Sequence, residues 1–128
     1  MRDILFKARR KDNGQWIVGY YAFMKPYYYI MPEGSYDSWY EICPETLCQY
    51  TGLTDRDGKK IWENDIVKKV DTNALGWHRE RLSTVSFDEN GYWLLMTTLG
   101  DGYWIGEFEK ERLKVIGNIF DNPELLEI

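Results

Sequence analysis

Residues 49–67 read QYTGLTDRDGKKIWENDIV, and this stretch decides the fold. Its first half predicts a tight turn at Asp55-Arg56-Asp57-Gly58, because Asp at the first position can bond the backbone two residues on and Gly at the last permits a positive φ. A second turn is predicted at Asn64, since asparagine tolerates the left-handed region better than any residue except glycine. The run that starts at Asp65 is rich in β-branched side chains, which predicts a strand with one buried and one charged face. The residues expected to hold this structural motif are Gly52, Asp55, Gly58, Asn64 and Asp65.

The acidic residues of the same stretch raise the question of a metal site or of carboxylate catalysis. A calcium loop of the EF-hand type needs acidic ligands at alternate positions, glycine at the sixth and glutamate at the twelfth. Here Gly58 comes too early, and Lys59-Lys60 follow directly. Turn chemistry alone accounts for the four carboxylates Asp55, Asp57, Glu63 and Asp65. We therefore predict no metal, no cofactor and no catalytic residue, with a carboxylate-based hydrolase as the least favoured alternative.

The histidine and the two cysteines give no stronger sign of chemistry. His78, the only histidine, is the first candidate for acid–base work, but it lies in a polar stretch, 71–81, that we interpret as a loop. No nucleophile can be placed beside it from sequence, and a site needs a constellation of groups. Cys43 and Cys48 are interpreted as reduced thiols, with a disulfide as the alternative.

Length and charge exclude further classes of protein. The chain has 128 residues, near the commonest size for one domain, and a formal net charge of -5. Proteins that bind nucleic acid or anionic membranes usually carry an excess of positive charge. The amino terminus lacks the apolar segment of a signal peptide, and no run of apolar residues is long enough to span a membrane. We expect a cytoplasmic protein.

Aromatic residues are the outlier of the composition. The chain holds 6 Trp, 10 Tyr and 5 Phe, or 16% of all residues. Such side chains suit half-buried strand faces and protein interfaces. Many of them fall in residues 15–40, which hold more aromatic surface than a two-stranded extension can bury alone. The predicted interaction surface consists of Tyr20, Tyr27, Tyr28, Tyr29, Trp39 and Tyr40.

Short alternating segments separated by turns predict a small β sandwich or barrel. Residues 3–10 and 15–24 flank Asp12-Asn13-Gly14, a strong hairpin signal. Further strands are predicted over 36–42, 81–87, 92–98 and 115–120. Pro44 and Pro123 each stand at the start of a predicted helical turn.

Three separated segments carry a resemblance to a known family. Residues 49–67, the opening at Ile4–Arg10 with Gly14–Tyr20, and the ending Val115–Leu126 resemble the YopX family, small proteins encoded by phages and prophages. The departure from its pattern is Asn64, where the family usually has glycine. The resemblance implies an SH3-like barrel over 49–128 and an amino-terminal β-hairpin extension over 1–48 that takes part in assembly.

The favoured function is therefore a non-enzymatic binding or assembly module. Its expected partners are further copies of the same chain, giving a homo-oligomer, and a phage or host protein. The alternative is a nucleic-acid-associated small barrel, since such barrels can present aromatics and a basic groove to single strands. The basic residues that favour it are Lys7, Arg9, Arg10, Lys11, Lys59, Lys60, Lys68 and Lys69.

Overall fold

The protein is mainly β, with antiparallel sheets and short 3₁₀ turns that include Pro44–Thr46 and Pro123–Leu126. The structure, a computed structural model, describes residues 4–35, 37–72, 75–76, 78–87, 92–97, 102–104 and 112–126. The chain divides into two compact units, Met1–Gly52 and Leu53–Ile128. The expected separation of an extension from a barrel after residue 48 stays a prediction.

The first unit is built on a sheet with the strand order β4-β3-β2-β1-β5. Its strands are β1 (Phe6–Arg9), β2 (Trp16–Met24), β3 (Tyr27–Pro32), β4 (Tyr40–Glu41) and β5 (Cys48–Thr54), the last of which runs on into the second unit. The predicted hairpin over 3–24 is confirmed, because β1 and β2 pair antiparallel with Phe6 opposite Gly19. Of the strand predicted over 36–42, the described residues form β4 at Tyr40–Glu41 and an isolated bridge between Ile42 and Arg10.

One face of this sheet is buried. Ala8, Ile30 and Ile42 form its core. The partly buried side chains packed against them are Phe6, Ile17, Tyr21, Tyr28 and Leu47. Because side chains alternate along a strand, the opposite face of β2 and β3 is left without this core.

The second unit holds a sheet of five strands in the order β10-β9-β8-β7-β11. Its strands are β6 (Lys60–Trp62), β7 (Asp65–Thr72), β8 (His78–Phe87), β9 (Trp93–Thr97), β10 (Gly102–Trp104) and β11 (Leu113–Asn118), with β6 lying beside the end of β5. The core is apolar and is formed by Ile61, Val67, Val85, Leu95, Leu113 and Val115. Within the described ranges β10 and β11 end the sheet order, and no pairing closes them into a barrel.

The interpretation of residues 71–81 as a loop is wrong at both ends. β7 continues to Thr72 and β8 starts at His78, with Asp71 opposite Arg79 in the ladder. Antiparallel strands tolerate a polar sequence, since one face can meet water while the ladder satisfies the backbone. Polarity alone therefore did not distinguish this long hairpin from a loop. The turn predicted at 88–91 and most of the charged run 107–112 lie outside the described residues.

Candidate functional site

The outer face of the β2–β3 hairpin carries several aromatic side chains of the first unit. In the ladder Tyr20 lies opposite Met31, Ala22 opposite Tyr29 and Met24 opposite Tyr27. Residues that are directly opposite each other share a face, so these six side chains lie on one side of the sheet. Val18 and Trp16 continue the same face by alternation along β2. We call this surface the aromatic face; its members are Trp16, Val18, Tyr20, Ala22, Met24, Tyr27, Tyr29 and Met31.

Several of these side chains are exposed to an extent unusual for large apolar groups. The exposed fraction is 44% for Tyr20, 51% for Met24 and 47% for Tyr27. Trp39, which is 44% exposed, extends the surface, because its ring meets the Tyr29 ring edge-on at 6.3 Å between centroids. Tyr27 and Tyr29 also meet edge-on, at 6.4 Å. Contiguous exposed patches of this kind mark interaction sites in soluble proteins.

The structure brings together four of the six residues predicted for the interaction surface and separates the other two. Tyr20, Tyr27, Tyr29 and Trp39 lie on or beside the aromatic face. Tyr28 lies on the buried face, where it packs against the core and stacks on Phe23. Tyr40 lies opposite Ile30 in the ladder and so shares the core face, where its ring is covered by the Arg10 guanidinium at 4.2 Å. Tyr28 and Tyr40 therefore do not belong to the aromatic face.

A basic group lies at one end of the aromatic face. Lys7 Nζ lies 4.8 Å from the centroid of the Trp16 ring, and the Arg9 guanidinium carbon lies 5.4 Å from it. Arg9 is opposite Trp16 in the ladder, and Lys7 is two residues earlier on the same face of β1. These are cation–π contacts, which hold the positive charges over the indole. From the sequence, the two side chains were interpreted only as part of a basic run. Their alternation with apolar residues was the available sign that they share one face of β1.

A pocket of about 330 Å³ lies at the other end of the hairpin, and sequence reasoning missed it. Tyr27, Pro26 and Pro44 supply apolar wall, and Glu41 and Glu45 supply two carboxylates. Lys11 Nζ lies 2.9 Å from Glu41 Oε2. The hydrogen bond with Glu41 and its negative charge raise the pKa of Lys11, so that Lys11 is charged near neutral pH. The pocket therefore carries more negative than positive charge.

The two cysteines are free thiols with different surroundings. Cys43 is half-buried and lines the pocket, whereas Cys48 is buried and its thiol donates to the carbonyl of Thr46 at 3.2 Å. Across the part of the chain that the structure describes, no group of three His, Cys, Asp or Glu residues could hold a metal ion.

Asp55, the first residue of the predicted structural motif, is almost completely buried. Its Oδ1 accepts hydrogen bonds from the backbone N–H groups of Asp57 and Lys59, both at 2.9 Å. Its Oδ2 accepts from the N–H of Val115, also at 2.9 Å and 60 residues away in sequence. Burial by itself raises the pKa of Asp55, but these three hydrogen bonds outweigh it and hold the pKa below the usual carboxyl range. The carboxylate joins the central turn to β11.

The remaining motif residues also act on the backbone. Asn64 has φ 69°, which confirms the left-handed turn, and its carbonyl accepts the Ile119 N–H at 3.0 Å. Asp65 is buried, and its Oδ2 accepts the Trp62 N–H at 2.8 Å. Gly52 and Gly58 have positive φ angles of 86° and 80°. All five residues therefore shape the chain, and the two buried carboxylates are occupied by backbone donors.

Of the residues considered for chemistry, His78 has its backbone in β8, and its side chain lies outside the described set. Asp57 is an exposed turn residue. No described helix has the length and the apolar character needed to cross a bilayer. The arrangement offers surfaces for binding.

Comparisons with known proteins concern the family and the fold of the chain. A family model described as YopX protein matches residues 6–127. Among solved structures, the chain is similar to that titled crystal structure of protein EF1440 from Enterococcus faecalis, with 18% sequence identity and a TM-score of 0.53 over 99% of this chain and 100% of that one. This likeness concerns the fold alone. A search of curated proteins found no match.

Proposed function

The chain belongs to the YopX family, and from this premise we propose that it is a non-enzymatic binding or assembly module that self-associates through the aromatic face. The proposal includes a phage or prophage setting, in the cytoplasm of a bacterial host. It also includes the finer fold assignment of residues 49–128 to an SH3-like barrel. A phage or host protein is the second expected partner.

The exposed aromatic face is the observation that carries the proposal. Tyr20, Met24 and Tyr27 are each about half exposed on one side of a regular sheet. Tyrosine and methionine are enriched at interfaces, because they combine apolar area with adaptable or polar tips. Closed symmetric homo-oligomers are the commonest assemblies, and a face of this kind can pair with its own copy around a two-fold axis.

Charge at the two ends of the face supports a second copy as the occupant. Lys7 and Arg9 lie at the Trp16 end, and Glu41 and Glu45 lie at the pocket beside Tyr27. Trp16 and Met24 are eight residues apart on β2, which corresponds to about 27 Å of extended strand. A two-fold arrangement that reverses one face over the other places the basic end of each copy near the acidic pocket of its partner. Complementary charges of this sort fix register and favour association.

Occupied carboxylates support the non-enzymatic part of the proposal. Asp55 and Asp65, two of the four carboxylates considered for hydrolysis, both accept hydrogen bonds from backbone N–H groups. A general acid or base must instead be within reach of a substrate proton.

Light scattering on the full chain tests self-association. At tens of micromolar the wild type is expected to be a dimer or larger, and the double variant Tyr20→Lys with Tyr27→Lys is expected to be a monomer, because four charges would face each other across a two-fold interface. Tyr92→Lys is the matched control, since Tyr92 is an exposed tyrosine of the second unit. Circular dichroism establishes that each variant is folded. A monomeric wild type, or a folded double variant that stays multimeric, would overturn the proposal.

Nucleic-acid binding is the second candidate, and the contacts of Lys7 and Arg9 with Trp16 are what favours it. Basic groups beside an aromatic ring can hold a single strand. Three of the other basic residues support it less: Lys11 pairs with Glu41, Lys68 pairs with Glu80, and Lys69 is buried. Binding of a single-stranded oligonucleotide at two salt concentrations distinguishes the two functions, since phosphate contacts weaken steeply with salt.

A further inference from the structure

The pocket of the first unit has a volume of about 330 Å³, and self-association through the aromatic face leaves its interior without an assigned ligand. Ligand sites are concave, with volumes of about 300–1,000 Å³, and combine apolar walls with a few polar groups. The pocket lies at the lower end of this range, so it suits one side chain or a small molecule. Its lining joins apolar walls to charged groups, and this combination indicates which chemistry it accepts.

The walls of the pocket are formed by aromatic rings and prolines. Tyr27 and Tyr28 line it together with Pro26 and Pro44. The Tyr28 ring stacks on Phe23, with 4.8 Å between the ring centroids and 30° between the planes, so that packing fixes its position. Tyrosine rings attract cations through their negative faces, and a planar cation can also stack on them. The walls therefore favour a ligand with an apolar stem and a positive charge.

The charged groups of the pocket leave one carboxylate unbalanced. Lys11 Nζ lies 2.9 Å from Glu41 Oε2, so these two charges compensate each other. Glu45 lines the same pocket and makes no ion pair with any residue in the described part of the chain. It belongs to the 3₁₀ turn Pro44–Thr46 and is exposed, so its oxygens are accessible to a ligand. A guanidinium is the cation that matches a carboxylate with two parallel N–H···O bonds.

We propose that this pocket binds a guanidinium group from an arginine side chain of a partner protein, with Glu45 accepting its hydrogen bonds and the rings of Tyr27 and Tyr28 contacting its flat face. An arginine side chain brings a methylene stem for the apolar walls, a planar cation for the rings and a fork of donors for the carboxylate. A lysine ammonium matches the lining less well, since it is compact, strongly hydrated and not planar. The inference adds a ligand to the proposed binding module and does not require that the chain self-associates.

Alkylation of Cys43 in the full chain tests the proposal, because this half-buried thiol lines the pocket and a ligand should shield it. Iodoacetamide is the reagent, mass spectrometry resolves the two cysteines, and the buried Cys48 reports any unfolding. The probes are N-acetylarginine amide and the corresponding lysine and citrulline amides at equal ionic strength, since citrulline keeps the shape of arginine without its charge. An arginine probe of this size is expected to have a dissociation constant on the order of 1 mM. At about 10 mM it should slow the labelling of Cys43 about tenfold, the lysine probe should have a smaller effect, and citrulline should have none.

Labelling at several protein concentrations identifies the source of the guanidinium. If Cys43 becomes protected as light scattering shows the chain associating, and Arg9→Gln removes this protection without dissociating the chain, a second copy supplies the arginine. In every other case another protein supplies it. A chain that stays monomeric while the arginine probe protects Cys43 contradicts self-association alone. A chain that associates, but whose Cys43 the probe does not protect at a dilution where the chain is monomeric, contradicts the pocket ligand alone.

A matched pair of variants assigns the effect to the pocket. Glu45→Gln keeps the size of an exposed side chain and is expected to weaken binding of the arginine probe at least about tenfold, because it removes charge-assisted hydrogen bonds. Glu33→Gln is the control, since it removes the same charge from an exposed position of the first unit outside the pocket lining. It should leave the protection of Cys43 as in the wild type. The proposal is wrong if the arginine probe does not slow the labelling, if citrulline slows it equally, or if the two variants behave alike.

Discussion

Replacement of Asp55 tests whether one carboxylate joins the central turn to the last strand. The side chain is 3% exposed and accepts three backbone hydrogen bonds of 2.9 Å, two from its own turn and one from Val115. Asp55→Ala removes both oxygens and leaves the Val115 N–H buried without an acceptor. Asp55→Asn keeps one oxygen. Either the N–H groups of the turn or the N–H of Val115 must then face the side-chain NH₂ group, which cannot accept a hydrogen bond.

The expected loss follows from these contacts. A hydrogen bond to a charged group contributes about 1.5–3 kcal/mol, and a buried donor left without an acceptor costs about 1–3 kcal/mol. Since the contributions are not additive, we expect Asp55→Ala to lower the free energy of unfolding by about 3–5 kcal/mol and Asp55→Asn by about 2 kcal/mol. A domain of this size has a total stability of about 5–15 kcal/mol, so the alanine variant should be close to unfolding.

The loss is expected to depend on pH in a defined direction. The pKa of Asp55 is lower in the folded than in the unfolded chain, because the hydrogen bonds from Val115, Lys59 and Asp57 outweigh the effect of burial. The folded state therefore binds the proton less readily, and the stabilisation is present above the unfolded pKa and is lost as the pH falls through the folded pKa. The difference in stability between wild type and Asp55→Asn should be largest near pH 7 and should shrink below about pH 4.

Urea unfolding followed by tryptophan fluorescence measures both effects, with the midpoint and the slope fitted separately. Asp57→Ala is the control, since Asp57 is an exposed carboxylate of the same turn whose weak pair with Arg56 spans 4.0 Å. It should change stability by no more than about 0.5 kcal/mol. An ordinary hydrogen bond contributes roughly 1 kcal/mol. If the free energy of unfolding of Asp55→Ala differs from that of the wild type by less than about this amount, the bond to Val115 does not stabilise the fold as described.

Two further substitutions test the backbone. Asn64→Gly should leave the free energy of unfolding unchanged or raise it. Asn64→Val should lower it by about 1–2 kcal/mol, because a β-branched residue is strained at φ 69°. Equal urea midpoints for the two variants would show that the turn does not require this conformation. Gly19→Ala should cost about 2 kcal/mol, since a Cβ there would collide with the carbonyl oxygen of Met31 on the neighbouring strand. Val18→Ala, at an exposed position of the same strand, is its control, and a Gly19→Ala protein as stable as that control would show that β2 and β3 can separate without loss.

Part of the candidate site follows from the sequence alone. The concentration of aromatic residues in 15–40 correctly indicated a surface on the first unit with more apolar area than its core uses. Alternation along a strand also implies that Tyr27, Tyr28 and Tyr29 cannot all share a face. Placing all three on one surface overlooked that period, and in the structure Tyr28 packs against the core on the opposite face. Trp39 could not be placed, because it lies outside a strand and meets Tyr29 only through tertiary packing.

The local turns were determined by the sequence because they depend on the conformational preferences of a few adjacent residues. Asp55 accepts the N–H two residues on, and Asn64 adopts a positive φ, as their residue types predict. The hairpin at Asp12-Asn13-Gly14 and the strand that follows Asp65 belong to the same group. Only the tertiary structure decided that Asp55 also binds Val115, that the polar segment around His78 is paired as strand, and that Lys11, Tyr27 and Glu45 line one pocket. The physical reason is that strand register is a non-local property: it is set by pairing between distant segments and by burial of one face, and neither is encoded in the residues next to each position.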